Sequence, residues 1–187
     1  MNKITKSLVS IIILNYNAGQ ILLDCVESVI KTNYDNFEII IVDNASEDKS
    51  HRKCQEKFEN IHIIENEKNL GYCEGNNIGI KNAKGEFIVI LNPDTTVEPE
   101  WLNELFFAYS KYGEALYQPK HLSLKEKSII MSTGNMMNVF GFGYARDKGK
   151  KDVNQYSMIE QIGYASGTCL FVPSSVFKKV GLLDSFI

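Results

Sequence analysis

The chain has 187 residues, of which 44% are hydrophobic and 23% charged, and its formal net charge is -3. A domain of this size buries roughly 70% of the surface that its unfolded chain exposes, so it can fold without disulfides or a structural metal. The composition excludes intrinsic disorder, and the lack of a basic excess argues against a nucleic-acid partner. Cys25, Cys54, Cys73 and Cys169 show neither C-x-x-C spacing nor a neighbouring histidine cluster, which argues against zinc and for reduced thiols. The apolar run at residues 8–14 follows Lys3 and Lys6 as a signal peptide's core would, yet no small-residue cleavage site comes after it. It is also far shorter than the roughly 20 residues that cross a bilayer, so it reads as a central strand.

Further strands are predicted at residues 37–42, 61–64 and 87–91. All are rich in isoleucine and valine without alternation, the pattern of strands covered on both faces. Ile21, Leu22, Cys25, Val26, Val29 and Ile30 fall on one helical face, as do Trp101, Leu102, Leu105, Phe106 and Tyr109 later. Asn44 and Glu47 have capping-box spacing, and Pro99 suits a first helical position. Strand–helix units repeated up to residue 112 predict an α/β fold, a Rossmann-like, mostly parallel sheet with helices on both faces. The helix predicted at 71–83 carries Gly71, Gly75, Gly79 and Ala83 at every fourth position. Glycine inside a helix costs up to about 1 kcal/mol relative to alanine, so this bare strip implies either tight packing on the sheet or close approach of a ligand. Beyond it, 114–119 and 128–133 read as short strands, 141–157 as a mobile loop, and 162–172 as an apolar segment leading into a helix that ends near residue 180.

Ligands of open parallel sheets lie beyond the carboxyl ends of the strands. The first strand ends in Asn15, Tyr16 and Asn17, the second in Asp43 and Asn44, the third leads to Glu65, Asn66, Lys68 and Asn69, and the fourth to Asn92 and Asp94. Asp43 suits a cap or turn as well as a ligand contact, and Asn92-Pro93-Asp94 suits a plain turn as well as a cation site. A diphosphate would need a hard cation such as Mg or Mn, which takes one or two protein carboxylates and fills its shell with phosphate and water. The NYNAGQ stretch has one glycine and no basic residue, which disfavours a dinucleotide fingerprint, a Walker loop and a triphosphate-binding nucleotidyltransferase.

The segments VSIIILNYN, IIIVDNAS, NLGYCEGNNIGI, LNPDT and GYASGTCLFVPSSVFKKVGLLD, in this order and spacing, resemble the family 2 glycosyltransferases of GT-A fold, in their rhamnosyltransferase-like branch. The resemblance runs from residue 8 to about 184. It implies inverting transfer of a sugar from a UDP- or dTDP-sugar donor to a polysaccharide or glycolipid acceptor, with Mg or Mn as cofactor. It also implies a cytoplasmic location at the inner face of a membrane, with peripheral membrane contact and a homodimer as further expectations. By position, Asn15, Asn17, Asp43, Asn69, Asn76 and Asn92 would bind the nucleotide and Asp94 the metal, with Ser166 and Gly167 beside the sugar and acceptor. Relatives continue past the GLLD-like segment into an acidic motif that carries the candidate base. The expectation is therefore one GT-A domain over residues 1–187, incomplete at its C-terminus, with the base beyond Ile187. Asp184, the one late carboxylate, reads as a turn residue after Gly181, and exposed Leu182, Phe186 and Ile187 are expected to favour self-association. A non-catalytic nucleotide-sugar-binding module and a nucleotidyltransferase stay open as alternatives.

Overall fold

The computed structural model describes residues 6–185. Its main sheet is built from β1 (Val9–Asn15), β2 (Phe37–Asp43), β3 (Ile61–Glu65), β4 (Phe87–Leu91) and β9 (Cys169–Pro173), in the order β3-β2-β1-β4-β9. The first four are mutually parallel, whereas β9 runs antiparallel on the free edge of β4. Strands β1 and β2 are in register from Val9↔Phe37 to Asn15↔Asp43, and β3 finishes level with them at Asp43↔Glu65. Three polar residues beyond the predicted strand ends thus form the last rung of the sheet.

Alternation along β1 sends Ile11 and Ile13 to one face and Ile12 to the other, which gives the molecule two apolar layers. The first packs the sheet against α1 (Gln20–Ile30) and α4 (Trp101–Tyr112), and the second against α3 (Gly71–Asn82) and α5 (Ser174–Val180). A shorter helix, α2 (Ser50–Lys57), joins β2 to β3. Phe171 of β9 stacks on Phe87 of β4 with ring centroids 5.2 Å apart, so the antiparallel edge is fastened by side chains as well as by the ladder.

The bare strip on α3 is explained by packing at two of its positions. A Cβ on Gly75 would stand 2.4 Å from Leu14 Cδ1, and one on Gly79 the same distance from Ile12 Cγ2. Gly71 differs, because nothing lies within 4 Å and its φ of +77° accounts for the residue there.

Several expectations need correction. Ile21 and Ile30 are exposed, because the sheet covers α1 only along Leu22, Cys25, Val26 and Val29. Asn44 caps no helix: α2 starts at Ser50, and the Asn44 side chain turns toward Asn66, Asn69 and Gly71 instead. Pro99 sits in a turn before α4, whose first residue is Trp101. Within 114–119 only Tyr117 bridges to Phe171 and a strand, β5 (His121–Leu122), follows it, whereas the strand expected at 128–133 is present as β6 (Ile130–Ser132). The 141–157 stretch is not wholly loop, since β7 (Asn135–Met137) and β8 (Gly143–Ala145) form a hairpin and Lys151 bridges to Ile129. Three-residue strands are too short to show a period. The four thiols are free, and burial pushes that of Cys169 up to about 12. Leu182 is exposed, while Phe186, Ile187 and Lys3 lie outside the described residues.

Candidate functional site

Polar residues at the carboxyl ends of β1 and β2 form one buried network. Asn15 is fully buried, and its Nδ2 donates to Asp43 Oδ1 at 2.7 Å and approaches Ser46 Oγ and Ser50 Oγ at 3.0 Å each. Two amide protons thus serve three acceptors. Asp43 is 2% exposed, and its Oδ2 accepts the Ser46 N–H at 2.8 Å. His51, at the start of α2, places Nδ1 2.9 Å from Asp43 Oδ1, off hydrogen-bond alignment, and Nε2 2.8 Å from Glu65 Oε1. The His51 hydrogen bond, joined by those of Arg52, holds the Glu65 carboxyl below the usual carboxylate range. Asp43 is therefore a pinned carboxylate, and a ligand could use only its remaining lone pairs.

Asn17 ties the two neighbouring loops together. Its φ of 52° is left-handed, its N–H donates to Ser46 Oγ at 2.9 Å, and its Oδ1 accepts the Glu47 N–H at 2.8 Å. An Asn chain does the same beside β3: Asn66 Nδ2 donates to Asn44 Oδ1 at 2.8 Å, and Asn44 Nδ2 to Asn69 Oδ1 at 3.1 Å. Asn69 Oδ1 also accepts the Gly71 N–H at 2.9 Å, which sets the start of α3. One turn along, Asn76 is fully buried and donates from Nδ2 to the Tyr72 carbonyl at 2.9 Å. Its Oδ1, like that of Asn15, is buried with no hydrogen-bond partner among the described residues. Both are unpaired acceptors shut off from the surface, the kind of group that asks for a partner.

Past β4, the Thr95 N–H donates to the Asn92 carbonyl at 3.2 Å, so Asn92-Pro93-Asp94 is a turn that leaves Asp94 exposed. No group of three or more His, Cys, Asp or Glu among the described residues could hold a metal by itself. One exposed carboxylate at a strand end does fit a cation that takes most of its shell from a diphosphate and water. The turn is joined to the 163–168 loop by the Asn92 N–H, which donates to the Thr168 carbonyl at 2.9 Å. In that loop the Ser166 N–H donates to Gln118 Oε1 at 2.7 Å, and the Gly167 carbonyl accepts the Tyr72 hydroxyl at 2.7 Å. Asp184 is exposed in the irregular segment after α5, next to Leu183, whose two backbone groups are both bonded by Asn77.

The structure thus brings Asn15, Asn17, Asp43 and Asn69 into linked networks on one side of this edge and joins Asn92, Ser166 and Gly167 on the other. Reading the sequence missed Ser46, Ser50, His51 and Tyr72 as members. Ser46 and Tyr72 stand inside quoted motifs, whereas nothing in the sequence marks His51. Of two surface hollows, one is bounded by Glu27, Lys31, Thr96 and Glu98 and the other by Lys84, Gly85 and Phe177, and Asn15, Asp43, Asn92 and Asp94 line neither.

A parallel sheet closed by an antiparallel strand, with polar groups gathered beyond its carboxyl ends, is an α/β arrangement that the GT-A fold shares. The family model for Glycosyl transferase family 2 matches residues 10–181, and the chain belongs to that family. It is 34% identical over 134 residues to glycosyltransferase GlyG of Streptococcus pneumoniae, an alignment covering 70% of this chain and 40% of the relative. A low-salt glycan biosynthesis hexosyltransferase of Haloferax volcanii is 27% identical over 184 residues, covering 94% of this chain and 55% of that protein. The chain spans about half the length of the curated relatives it matches. Among solved structures, a mannosyltransferase of Pyrobaculum calidifontis in complex with GDP-Man and Mn2+ matches with a TM-score of 0.68 at 14% identity. That match covers 96% of this chain and 48% of the other. Residues 1-349 of S. aureus TarS in complex with UDP-GlcNAc match with a TM-score of 0.65 at 16% identity, over 91% of this chain and 46% of that fragment. At these identities the structural matches establish the fold.

Proposed function

We propose that the chain binds a nucleotide-diphosphate sugar across the carboxyl edge of its sheet and serves inverting transfer of that sugar to a polysaccharide or glycolipid acceptor. One observation carries the reading. Asn15 and Asp43 are locked together at the ends of β1 and β2, and the exposed Asp94 follows β4, the strand on the other side of β1. In this assignment Asp43 contacts the base or ribose, with Asn15 holding its carboxylate and Asn76 lying beneath the floor of the site. Asp94 would hold the divalent cation, Mg or Mn, which when bound neutralises charge on the departing diphosphate. Ser166 and Gly167 flank the sugar, and the Ser166 N–H bond to Gln118 holds their loop on the acceptor side. No helix among the described residues is long and apolar enough to cross a membrane. A glycolipid acceptor would be met at the cytoplasmic face by peripheral contact.

Calorimetry against UDP-, dTDP- and GDP-sugars, with manganese and with EDTA, tests this assignment. The expected result is saturable binding of at least one donor, tightened by manganese. Absence of binding by every donor in both conditions would overturn it.

A further inference from the structure

The Tyr72 hydroxyl donates to the Gly167 carbonyl at 2.7 Å across 95 residues of sequence. Tyr72 belongs to the first turn of α3, where Asn69 and Gly71 begin the helix, and Gly167 belongs to the loop that enters β9. The fit is close, because a Cβ on Gly167 would stand 2.2 Å from the Tyr72 oxygen and 3.0 Å from Cζ. The residue after Gly167 accepts the Asn92 N–H through its carbonyl, and the residue before it donates its N–H to Gln118 Oε1. One three-residue stretch therefore meets α3, the Asp94 turn and the 118–135 segment together, and the phenol is its contact with α3.

We infer that Tyr72 is a positioning residue for sugar and diphosphate recognition: its hydroxyl sets the Gly167 backbone, and through Thr168 the turn that presents Asp94. This rests on the donor site proposed above. Tyr72→Phe removes the bond while keeping the shape of the ring, which is partly exposed. The base and ribose contacts around Asn15 and Asp43 do not pass through Gly167. The loss should therefore fall on the sugar and the metal-bound diphosphate and spare the nucleoside end.

The test has a ligand-free arm and a binding arm. In the ligand-free protein, Tyr72→Phe should speed amide exchange at Asn92 and Thr168 while leaving Ser46, in the Asn15–Asp43 network, unchanged. In calorimetry with UDP and UDP-GlcNAc, and with GDP and GDP-Man, the variant should keep its affinity for the nucleotide measured with EDTA. It should lose about three- to tenfold in the extra affinity contributed by sugar and manganese, the range expected for one neutral hydrogen bond. Gly167→Ala should reduce that increment more in the parent than in the Tyr72→Phe background, because the added methyl meets the hydroxyl. Unchanged exchange at Asn92 and Thr168 would overturn the inference whatever the ligand, as would equal losses for nucleotide and nucleotide sugar. A parent chain that binds no donor would count against the proposed function alone, with the exchange arm still deciding the role of Tyr72.

Discussion

Asn15 and Asp43 face each other across the last rung of β1 and β2, with the amide nitrogen 2.7 Å from the carboxylate. The pair holds the β2–α2 loop through Ser46 and Ser50. Asp43→Ala would leave the Ser46 N–H without its acceptor, while the two Asn15 amide protons keep Ser46 Oγ and Ser50 Oγ, at a cost of about 2 kcal/mol. For a domain of this length that corresponds to a Tm lower by roughly 4 to 8 °C. Asp43→Asn keeps one acceptor and should lose less stability, yet it should weaken nucleotide binding in EDTA. An unchanged Tm for Asp43→Ala would show that the network does not hold the loop.

Asp94 should behave in the opposite way. It is exposed at a turn closed by backbone, so Asp94→Asn should leave the ligand-free Tm within about 1 °C, as surface changes usually do. The variant should lose the additional thermal shift that manganese gives to bound UDP, because an amide lacks the charge a hard cation requires. Equal stabilisation of the parent by UDP with manganese and with EDTA would remove the metal role.

Gly79→Ala sets helix propensity against packing. Alanine should gain up to about 1 kcal/mol in a helix, whereas forcing a methyl into a filled space costs about 1 to 3 kcal/mol. With Ile12 Cγ2 2.4 Å from the new carbon and Val42 Cγ2 at 3.2 Å, packing dominates and the net loss should be about 1 kcal/mol. Urea denaturation decides the sign, and a stabilised variant would mean that the α3–sheet contact is loose.

His121 makes stability depend on pH. Burial pushes its imidazole from 6.5 down to about 4, and its Nε2 has no partner among the described residues. Below pH 6.5 the unfolded chain takes up a proton that the folded chain refuses until about pH 4, so stability is complete above that window and falls as pH drops through it. The full effect is about 3 kcal/mol at its acid end. Melting curves between pH 4 and 7.5 should converge for the parent and His121→Gln at low pH relative to their separation at neutral pH. A constant separation would place the titration elsewhere.

The sheet was legible because β1, β2 and β4 contain unbroken apolar runs at 11–14, 39–42 and 87–91, and burial on both faces demands that composition. The helix faces were legible only in part, since Ile21 and Ile30 satisfy the same period as Leu22 and Val29 while the sheet reaches only the latter. Periodicity records which residues could be covered, whereas coverage depends on the partner's width. The hairpin at 135–145 escaped because its strands are three residues each. The strand-end residues Asn15, Asp43 and Asn92 could be named from their place in the pattern. The partners of the Asn15–Asp43 pair could not, because Ser46, Ser50 and His51 reach it through a loop whose path no local signal specifies.

Strand β9 has a consequence for synthesis of the chain. The edge of β4 that it covers is complete at Leu91, but β9 begins only at Cys169, about 80 residues later. A ribosome adding roughly 5 to 20 residues per second leaves that interval open for several seconds. During it, Ile88, Val89 and Ile90 present unpaired backbone along a hydrophobic edge, and Phe87 lacks the ring that will stack on it. A nascent chain stalled between these points would be the species most prone to pair with another copy of itself. Conversely, a peptide with the sequence of β9 supplied in trans should find its berth vacant on such a chain.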